Sequence, residues 1–458
     1  MNRDQQKNRE IFEDLPVPRA LAAMAIPTII AQLIILIYNM ADTFFIGRVN
    51  NHLMVAGASL ILPIFNLSIA LANIAGTGGG TQIARLLGVG REDEARAVAA
   101  FSFWFSLAAG ALFSLCTLLF IHPLLKLLGA SAEAYPFARQ YAMCVIVFGA
   151  IPTVMSVTLS NLLRNVGASK QAGFGVAMGG IINIVLDPLF MFVLLPPGHE
   201  MVGAGIATAL SNCVNCLYFL LVIRKLNSPI LRFSPKNLFP NRANLAAFFG
   251  VGLPAALSPF LFDMNGVVID RLMSGYGDAA LAALGIVLKA ERLPLNIGVG
   301  LCLGMTPLAA YNFSSGNHAR MEEIFRTTRR TGATIAVISI VLYEIFAPWL
   351  IRIFIADPAT VAYGTSFLRV RALATVMMFM SFIYVYLFQA MGRGDYALGL
   401  AVLRWAVVNI PMLFLFNSLF GMYGLVWSQL AGDCIVVFVS GRICRAYFRR
   451  RGLDWSKI

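Results

Sequence analysis

Residues 20–46 read ALAAMAIPTIIAQLIILIYNMADTFFI, an apolar run in which Asp42 is the single charged residue. An α-helix needs roughly 20 apolar residues to cross a hydrocarbon core about 30 Å thick, and this run is longer than that. Its backbone groups would all be satisfied inside the helix, as a lipid environment requires. The segment therefore predicts a transmembrane helix.

Runs of the same kind recur along the chain with short polar gaps between them. The whole sequence is 59% hydrophobic and 12% charged, whereas about a quarter of the residues in soluble domains are charged. We therefore predict an all-α membrane protein of about 12 transmembrane helices. The predicted spans are 20–46, 53–78, 96–121, 137–159, 169–194, 202–224, 244–272, 279–306, 328–350, 361–388, 396–418 and 423–446.

The distribution of basic residues predicts the orientation of the chain. The first nineteen residues, MNRDQQKNREIFEDLPVPR, lack the apolar stretch of a signal peptide. With these spans, about 25 Lys and Arg residues fall on the side of the amino terminus and about 5 on the other, which predicts cytoplasmic termini and a multi-pass protein of the inner membrane. The opposite side carries Arg48, Lys126, Arg139, Arg271 and Arg352.

A net charge of +13 could indicate a nucleic-acid partner. Basic residues next to a membrane instead attract anionic lipid headgroups. We therefore predict the lipid bilayer, and no nucleic acid, as the partner of these charges. The basic tail consists of Arg442, Arg445, Arg449, Arg450 and Arg451.

The chain contains an internal repeat. At an offset near 226 residues, Pro27 aligns with Pro254, Asp42 with Asp270 and Asn183 with Asn409. Six crossings return a chain to its starting side, so the two copies have the same orientation. The repeat predicts an amino-terminal lobe (1–223, helices 1–6), a cytoplasmic linker (224–243) and a carboxy-terminal lobe (244–458), forming two pseudo-symmetric six-helix bundles. This architecture suits alternating access, and the major facilitator superfamily shares it.

Specific motifs give the chain a resemblance to the multidrug and toxin extrusion (MATE) family, over residues 18–446. In the first half they are Pro27, YNMADTFFIGR, RLLGVGREDEARA, RNVGASK and NIVLDPLF. The second half carries GLP before DMNGVVIDRLMSGYG, then AYNFSSGNHARM and QAMGRGDY. The resemblance implies a secondary active antiporter, a monomer without a cofactor, which exports amphipathic, cationic drugs or toxins.

The resemblance also implies a cation-coupling site in the amino-terminal lobe, as in the bacterial subfamily with an aspartate cation site there. It consists of Asp42, Asn183, Asp187 and Thr208. Independently, Asn183 and Asp187 are four residues apart and share a helix face, and carboxylates within a membrane are functional candidates. Oxygen ligands suit Na⁺, and a carboxyl group can equally hold H⁺. The alternative is that both aspartates only cap helices or bond to nearby backbone.

The two halves differ at this site. Asp42 and Asn183 have counterparts in the second half, but Asp187 aligns with Leu413. The complete cluster therefore exists only in the first half, which favours a coupling role over a scaffolding role.

Other residues are candidates for substrate binding or conformational change. The substrate candidates are Tyr38, Asn39, Asp263 and Glu291, since acidic and aromatic groups attract organic cations. The acids of the second half could instead pair with Lys289 and Arg292 and lock helices together. Pro27 lies inside helix 1 and could bend it, either as part of transport or as a static kink.

Other functional classes remain as alternatives. The chain lacks a G-x-x-x-x-G-K-[ST] motif, so an H⁺ or Na⁺ gradient is the expected energy source. The four histidines lie in or near loops, which argues against an intramembrane enzyme. A channel would need a ring-lined pore. A flippase of the same superfamily, for a lipid-linked or polysaccharide precursor, is the main alternative, and it would use basic residues in its cavity.

Overall fold

A computed structural model describes residues 10–235 and 240–453. Over these residues the chain is helical. The first six helices are α1 (Val17–Arg48), α2 (His52–Gly88), α3 (Glu92–Leu127), α4 (Tyr135–Phe148 and Ala150–Asn165), α5 (Ser169–Leu194) and α6 (Glu200–Leu226). The next four are α7 (Arg242–Tyr276), α8 (Asp278–Ser314), α9 (His318–Phe354) and α10 (Pro358–Ala372 and Thr375–Ala390). The last segment is Gly394–Arg449.

The segment Gly394–Arg449 consists of two helices. Gly421 has φ 60° and ψ −141°, which no α-helix contains. Arg404 and Asp433 are 29 residues apart, which would be about 43 Å in a straight helix, yet Arg404 Nε lies 2.9 Å from Asp433 Oδ1. The chain therefore reverses at Gly421 into α11 (394–420) and α12 (422–449), which gives twelve spans in the described residues.

Several helices change geometry within the membrane. The halves of α4 meet at an angle of 49° and those of α10 at 47°. A turn of wider π-helix occurs in α2 (Ile74–Gly79), in α4 (Met143–Phe148), in α5 (Leu189–Leu194) and in α11 (Leu403–Asn409). Such turns often occur at functional sites. By contrast, α1 passes through Pro27 without a break.

The first and last described residues, near Phe12 and Arg451, lie on the same side of the molecule, called here the terminal side. The ring of Phe12 stacks on Tyr311 with centroids 4.9 Å apart. The guanidinium of Arg451 lies 5.3 Å from the ring of Phe313, two residues further along α8.

The two bundles are in backbone contact near the terminal side, where glycines leave no side chain between the helices. A Cβ atom on Gly300 or Gly304 of α8 would meet the backbone of Ile29 or Ala25 in α1. Similarly, Gly78 of α2 lies against the backbone of α7. Close contact of this kind is typical of small residues at membrane helix interfaces. The bundles are thus closed against each other on the terminal side.

A candidate cation site in the first helix bundle

Three helices bring the predicted cation-site residues together. Asp42 lies on α1, Asn183 and Asp187 on α5, and Thr208 on α6. Helices α1 and α5 approach closely because α5 is rich in glycine. A Cβ atom on Gly180 would meet Ile34 and Tyr38 of α1 at 2.7 and 3.1 Å.

The side-chain amide of Asn183 joins two of these helices. Its Nδ2 donates to Asp187 Oδ1 at 3.4 Å on α5 and to Thr208 Oγ1 at 3.4 Å on α6. Both contacts are long for hydrogen bonds, whose usual N···O distance is about 2.9 Å. The amide therefore positions the carboxylate without satisfying it.

Tyr141 on α4 completes the cluster. Its side chain is 6% exposed and lies beside Asp42 on one side and Thr208 on the other. The sequence analysis missed this residue because a tyrosine in an apolar helix carries no signal that separates it from core packing. A fourth helix thus contributes to the site.

Three buried oxygen atoms in the cluster have no hydrogen-bond donor among the residues that the structure describes. They are Asp42 Oδ1, Asn183 Oδ1 and Asp187 Oδ2. Asp187 is fully buried and Asn183 is 2% exposed. Buried polar groups are nearly always paired, because an unpaired one costs free energy. A bound cation, or a proton on a carboxyl group, would satisfy them.

The oxygen ligands of this cluster suit Na⁺ or H⁺ better than a transition metal. Carboxylate, amide and hydroxyl oxygens are hard ligands. In the described parts of the chain, no group of three or more His, Cys, Asp or Glu residues could hold a metal ion.

Replacing Tyr141 with phenylalanine should strengthen proton binding at Asp42. The change removes the hydroxyl that lies beside Asp42 and Thr208 and keeps the ring. A hydroxyl that donates to a carboxylate stabilises its unprotonated form, by about 1.5–3 kcal/mol, so without it we expect the proton concentration for half-maximal binding to fall roughly tenfold or more. Tyr135→Phe is the matched control, since that hydroxyl lies 3.1 Å from His122 Nδ1, away from the site. Equal effects of the two changes would contradict the role of Tyr141.

Pro27 lies where α1 meets the start of α5. A proline has no N–H, so the helix bond from residue 27 to the carbonyl of residue 23 is missing. Nearby, Thr28 Oγ1 and Ser169 Oγ donate to the Met24 carbonyl at 2.9 and 2.7 Å. The Pro27 carbonyl itself faces Gly173 of α5. These contacts hold the proline segment of α1 against α5.

The four candidate substrate residues lie in different surroundings. Tyr38 is half-buried beside the cation cluster, whereas Asn39 and Asp263 are exposed. Glu291 receives two hydrogen bonds from Arg371, Nε to Oε1 at 2.7 Å and Nη2 to Oε2 at 2.8 Å. Glu291 therefore forms an ion pair with Arg371, a basic residue of the same bundle.

A second ion pair lies deeper in the same bundle. Arg404 of α11 and Asp433 of α12 form two hydrogen bonds at 2.9 and 3.0 Å, with side chains 2% and 0% exposed. The guanidinium also lies 4.3 Å from the ring centroid of Trp405. The sequence analysis missed this pair, although an arginine and an aspartate inside predicted spans imply a partner for each.

Comparison with known proteins identifies the family. The MatE family profile matches the chain twice, over residues 27–189 and 254–415. The chain belongs to the MatE family. Both matches begin at a proline that the repeat aligns, Pro27 and Pro254. The predicted resemblance to MATE proteins is confirmed, and the chain is a membrane transporter, not an enzyme.

Curated MATE relatives match over nearly the whole chain. Multidrug export protein MepA of Staphylococcus haemolyticus (strain JCSC1435) is 32% identical over 98% of this chain and 97% of its own. MepA of Staphylococcus aureus (strain N315) is 30% identical, with 98% of each chain covered.

A solved MATE structure confirms the fold. It is described as the outward-facing conformation of a multidrug resistance MATE family transporter of the MOP superfamily, and it superposes with a TM-score of 0.90 at 24% identity. The match covers 98% of this chain and 99% of the other. The prediction of an all-helical membrane protein with two helix bundles is therefore confirmed.

Proposed function

We propose that this MATE protein exports amphipathic, cationic organic compounds in exchange for H⁺ or Na⁺, by alternating access between lobes 1–223 and 244–458. The observation that carries the proposal is the set of three buried acceptor oxygens without donors, on Asp42, Asn183 and Asp187. The relatives named as multidrug export proteins support the direction and the breadth of transport.

Exchange follows from linkage between the two ligands. If a cation bound at Asp42 and Asp187 lowers the affinity for substrate, then substrate must lower the affinity for the cation by the same factor. A cation gradient directed inward then drives substrate outward. The cluster is built by four helices of one lobe, so a change in its occupancy can alter how those helices pack.

We further propose that the substrate lies between the lobes, with Tyr38 and Asn39 on one side and Asp263 on the other. Tyr38 lies beside the cation cluster, so this one side chain would contact both the substrate and the cluster. Glu291 contributes through its pair with Arg371, which fixes the position of both groups. Pro27 and its contacts with α5 are the proposed conformational element.

Several further features belong to the proposal. The protein acts as a monomer in the inner membrane with both termini in the cytoplasm, so the terminal side faces the cytoplasm. Its closed lobes on that side leave the binding region accessible from outside. No cofactor takes part.

Flippase activity is the second candidate. Lys289 and Arg292 of α8 are exposed, and basic side chains could bind the phosphate of a lipid-linked precursor. Lys289→Gln and Arg292→Gln would then abolish transport, whereas an exporter of cations should tolerate both.

Ethidium uptake into everted vesicles tests the proposal, because an exporter carries its substrate into the lumen of inside-out membranes. A proton gradient or a sodium gradient is imposed separately on vesicles that contain the native chain. We expect one gradient to drive ethidium transport, and vesicles without the protein to show none. Absence of transport under both gradients, with movement of a lipid-linked phosphate compound instead, would contradict export and support the flippase.

A further inference from the structure

A small polar cavity lies where the two lobes meet. It is lined by Thr77, Thr81, Asn161, Arg164, Asn165, Leu303, Thr306, Tyr386 and Gln389, which come from α2 and α4 of one lobe and α8 and α10 of the other. The cavity has room for about one water-sized particle.

The cavity lies on the pseudo-symmetry axis of the molecule. At an offset of about 225 residues, close to the repeat offset, Thr81 corresponds to Thr306 and Arg164 to Gln389. Both members of each pair line the same cavity. The symmetry is broken in charge, because one lobe contributes an arginine where the other contributes a neutral amide.

Arg164 carries a positive charge that no carboxylate of the described residues neutralises. Its side chain is 5% exposed, and none of the ion pairs formed within residues 10–235 and 240–453 includes it. Its Nη1 donates to Asn161 Oδ1 at 2.8 Å, whereas Nε has no partner in these same residues. A buried charge without a counter-charge is strongly unfavourable.

Only some of the polar groups around the cavity are available to donate a hydrogen bond to a ligand. The hydroxyls of Thr81 and Thr306 donate to backbone carbonyls at 2.7 and 2.8 Å, so their hydrogens are already used. The side chains of Tyr386 and Gln389 form no hydrogen bond among the described residues and line the cavity beside the guanidinium. Guanidinium, phenol and amide N–H groups together favour an anion.

We propose that this cavity binds one small monovalent anion of halide size, held by Arg164 and assisted by Tyr386 and Gln389. The anion supplies the charge that the protein lacks. Because both lobes form the walls, the complete site exists only while the lobes are closed on the terminal side. The anion therefore stabilises that closed state. The site depends neither on the identity of the substrate nor on that of the coupling cation.

Water is the competing occupant. Asn165 Oδ1 is a buried acceptor without a donor in the described part of the chain, and a water molecule could bridge it to the guanidinium. Water would satisfy hydrogen bonds and would leave the charge of Arg164 uncompensated. The two occupants therefore differ in whether the stability of the protein depends on halide.

Halide dependence of thermal stability tests the proposal. The purified transporter is heated in chloride and in gluconate at equal ionic strength and equal sodium. We expect the unfolding midpoint to rise with chloride by about 2 °C or more and to saturate. Arg164→Gln, which copies the residue already present at the symmetry-related position, should lose this shift. Arg91→Gln, a change at an exposed arginine, should retain it.

Two further measurements keep the test decisive if Arg164→Gln does not fold. Tyr386→Phe should preserve the cavity and raise the chloride concentration for the half-maximal shift several-fold. A crystal grown in bromide should show an anomalous peak beside Arg164. Equal midpoints in chloride and gluconate, an undiminished shift in Arg164→Gln, or a cavity that holds only water in bromide would each overturn the proposal.

Discussion

Asp187→Asn is expected to remove most of the gradient-driven efflux while the protein still folds and inserts. The change removes a charge and keeps the shape, at a position that is fully buried and whose Oδ2 has no donor among the described residues. An asparagine offers one oxygen in place of two and cannot hold a proton. A contact between a charged group and its partner contributes about 1.5–3 kcal/mol, so we expect the ethidium efflux rate to fall at least about tenfold.

Asp42→Asn should give a similar loss, since Asp42 Oδ1 is also a buried acceptor that no described residue donates to. Asp270→Asn is the matched control. Asp270 is the counterpart of Asp42 in the repeat, but it is exposed in the structure. Efflux that is lost equally in Asp270→Asn, or retained in Asp187→Asn, would contradict coupling through the first lobe.

The second large effect is expected at the buried pair of Arg404 and Asp433. Removing one member leaves an uncompensated charge in the bundle, which costs about 3–5 kcal/mol. We therefore expect Arg404→Met to lower the thermal unfolding midpoint strongly. The double variant Arg404→Met with Asp433→Leu removes both charges and should recover most of the stability. Thermal unfolding of the purified variants measures the loss of stability in the single variant and its recovery in the double variant.

Arg369→Met serves as the control for this comparison. Arg369 pairs with Glu344 at 3.6 Å, and both side chains are at least 40% exposed. Exposed pairs contribute about 0–1 kcal/mol, so this variant should resemble the native protein. A single variant at Arg404 that is as stable as the native chain, or a double variant no better than the single one, would show that the pair does not hold α11 and α12 together.

The membrane spans could be predicted from the sequence because each span depends only on the apolar residues within it. Helix α1 was predicted over residues 20–46 and spans Val17–Arg48, since the length of an apolar run must match the bilayer. The gap predicted between residues 418 and 423 contains Gly421, where the chain reverses. Glycine suits a positive φ, which explains why this boundary is clear in the sequence.

The contacts between distant residues could not be predicted in the same way. Residues 291 and 371 are 80 positions apart, and nothing in their local sequence indicates that Glu291 meets Arg371. Tyr141 was missed for a related reason, because its position beside Asp42 depends on how α4 packs against α1. The spacing of Asn183 and Asp187 was informative, since residues four apart on one helix must share a face.

The most direct test of the account is whether substrate binding releases the coupling cation from the first lobe. Purified transporter is titrated with ethidium in weakly buffered solution, while proton release is followed with a pH indicator and sodium release with a radioactive tracer. The account predicts that the native protein releases one of the two cations and that Asp187→Asn releases neither. Ethidium binding without release of either cation by the native protein, or equal release by Asp187→Asn, would contradict it.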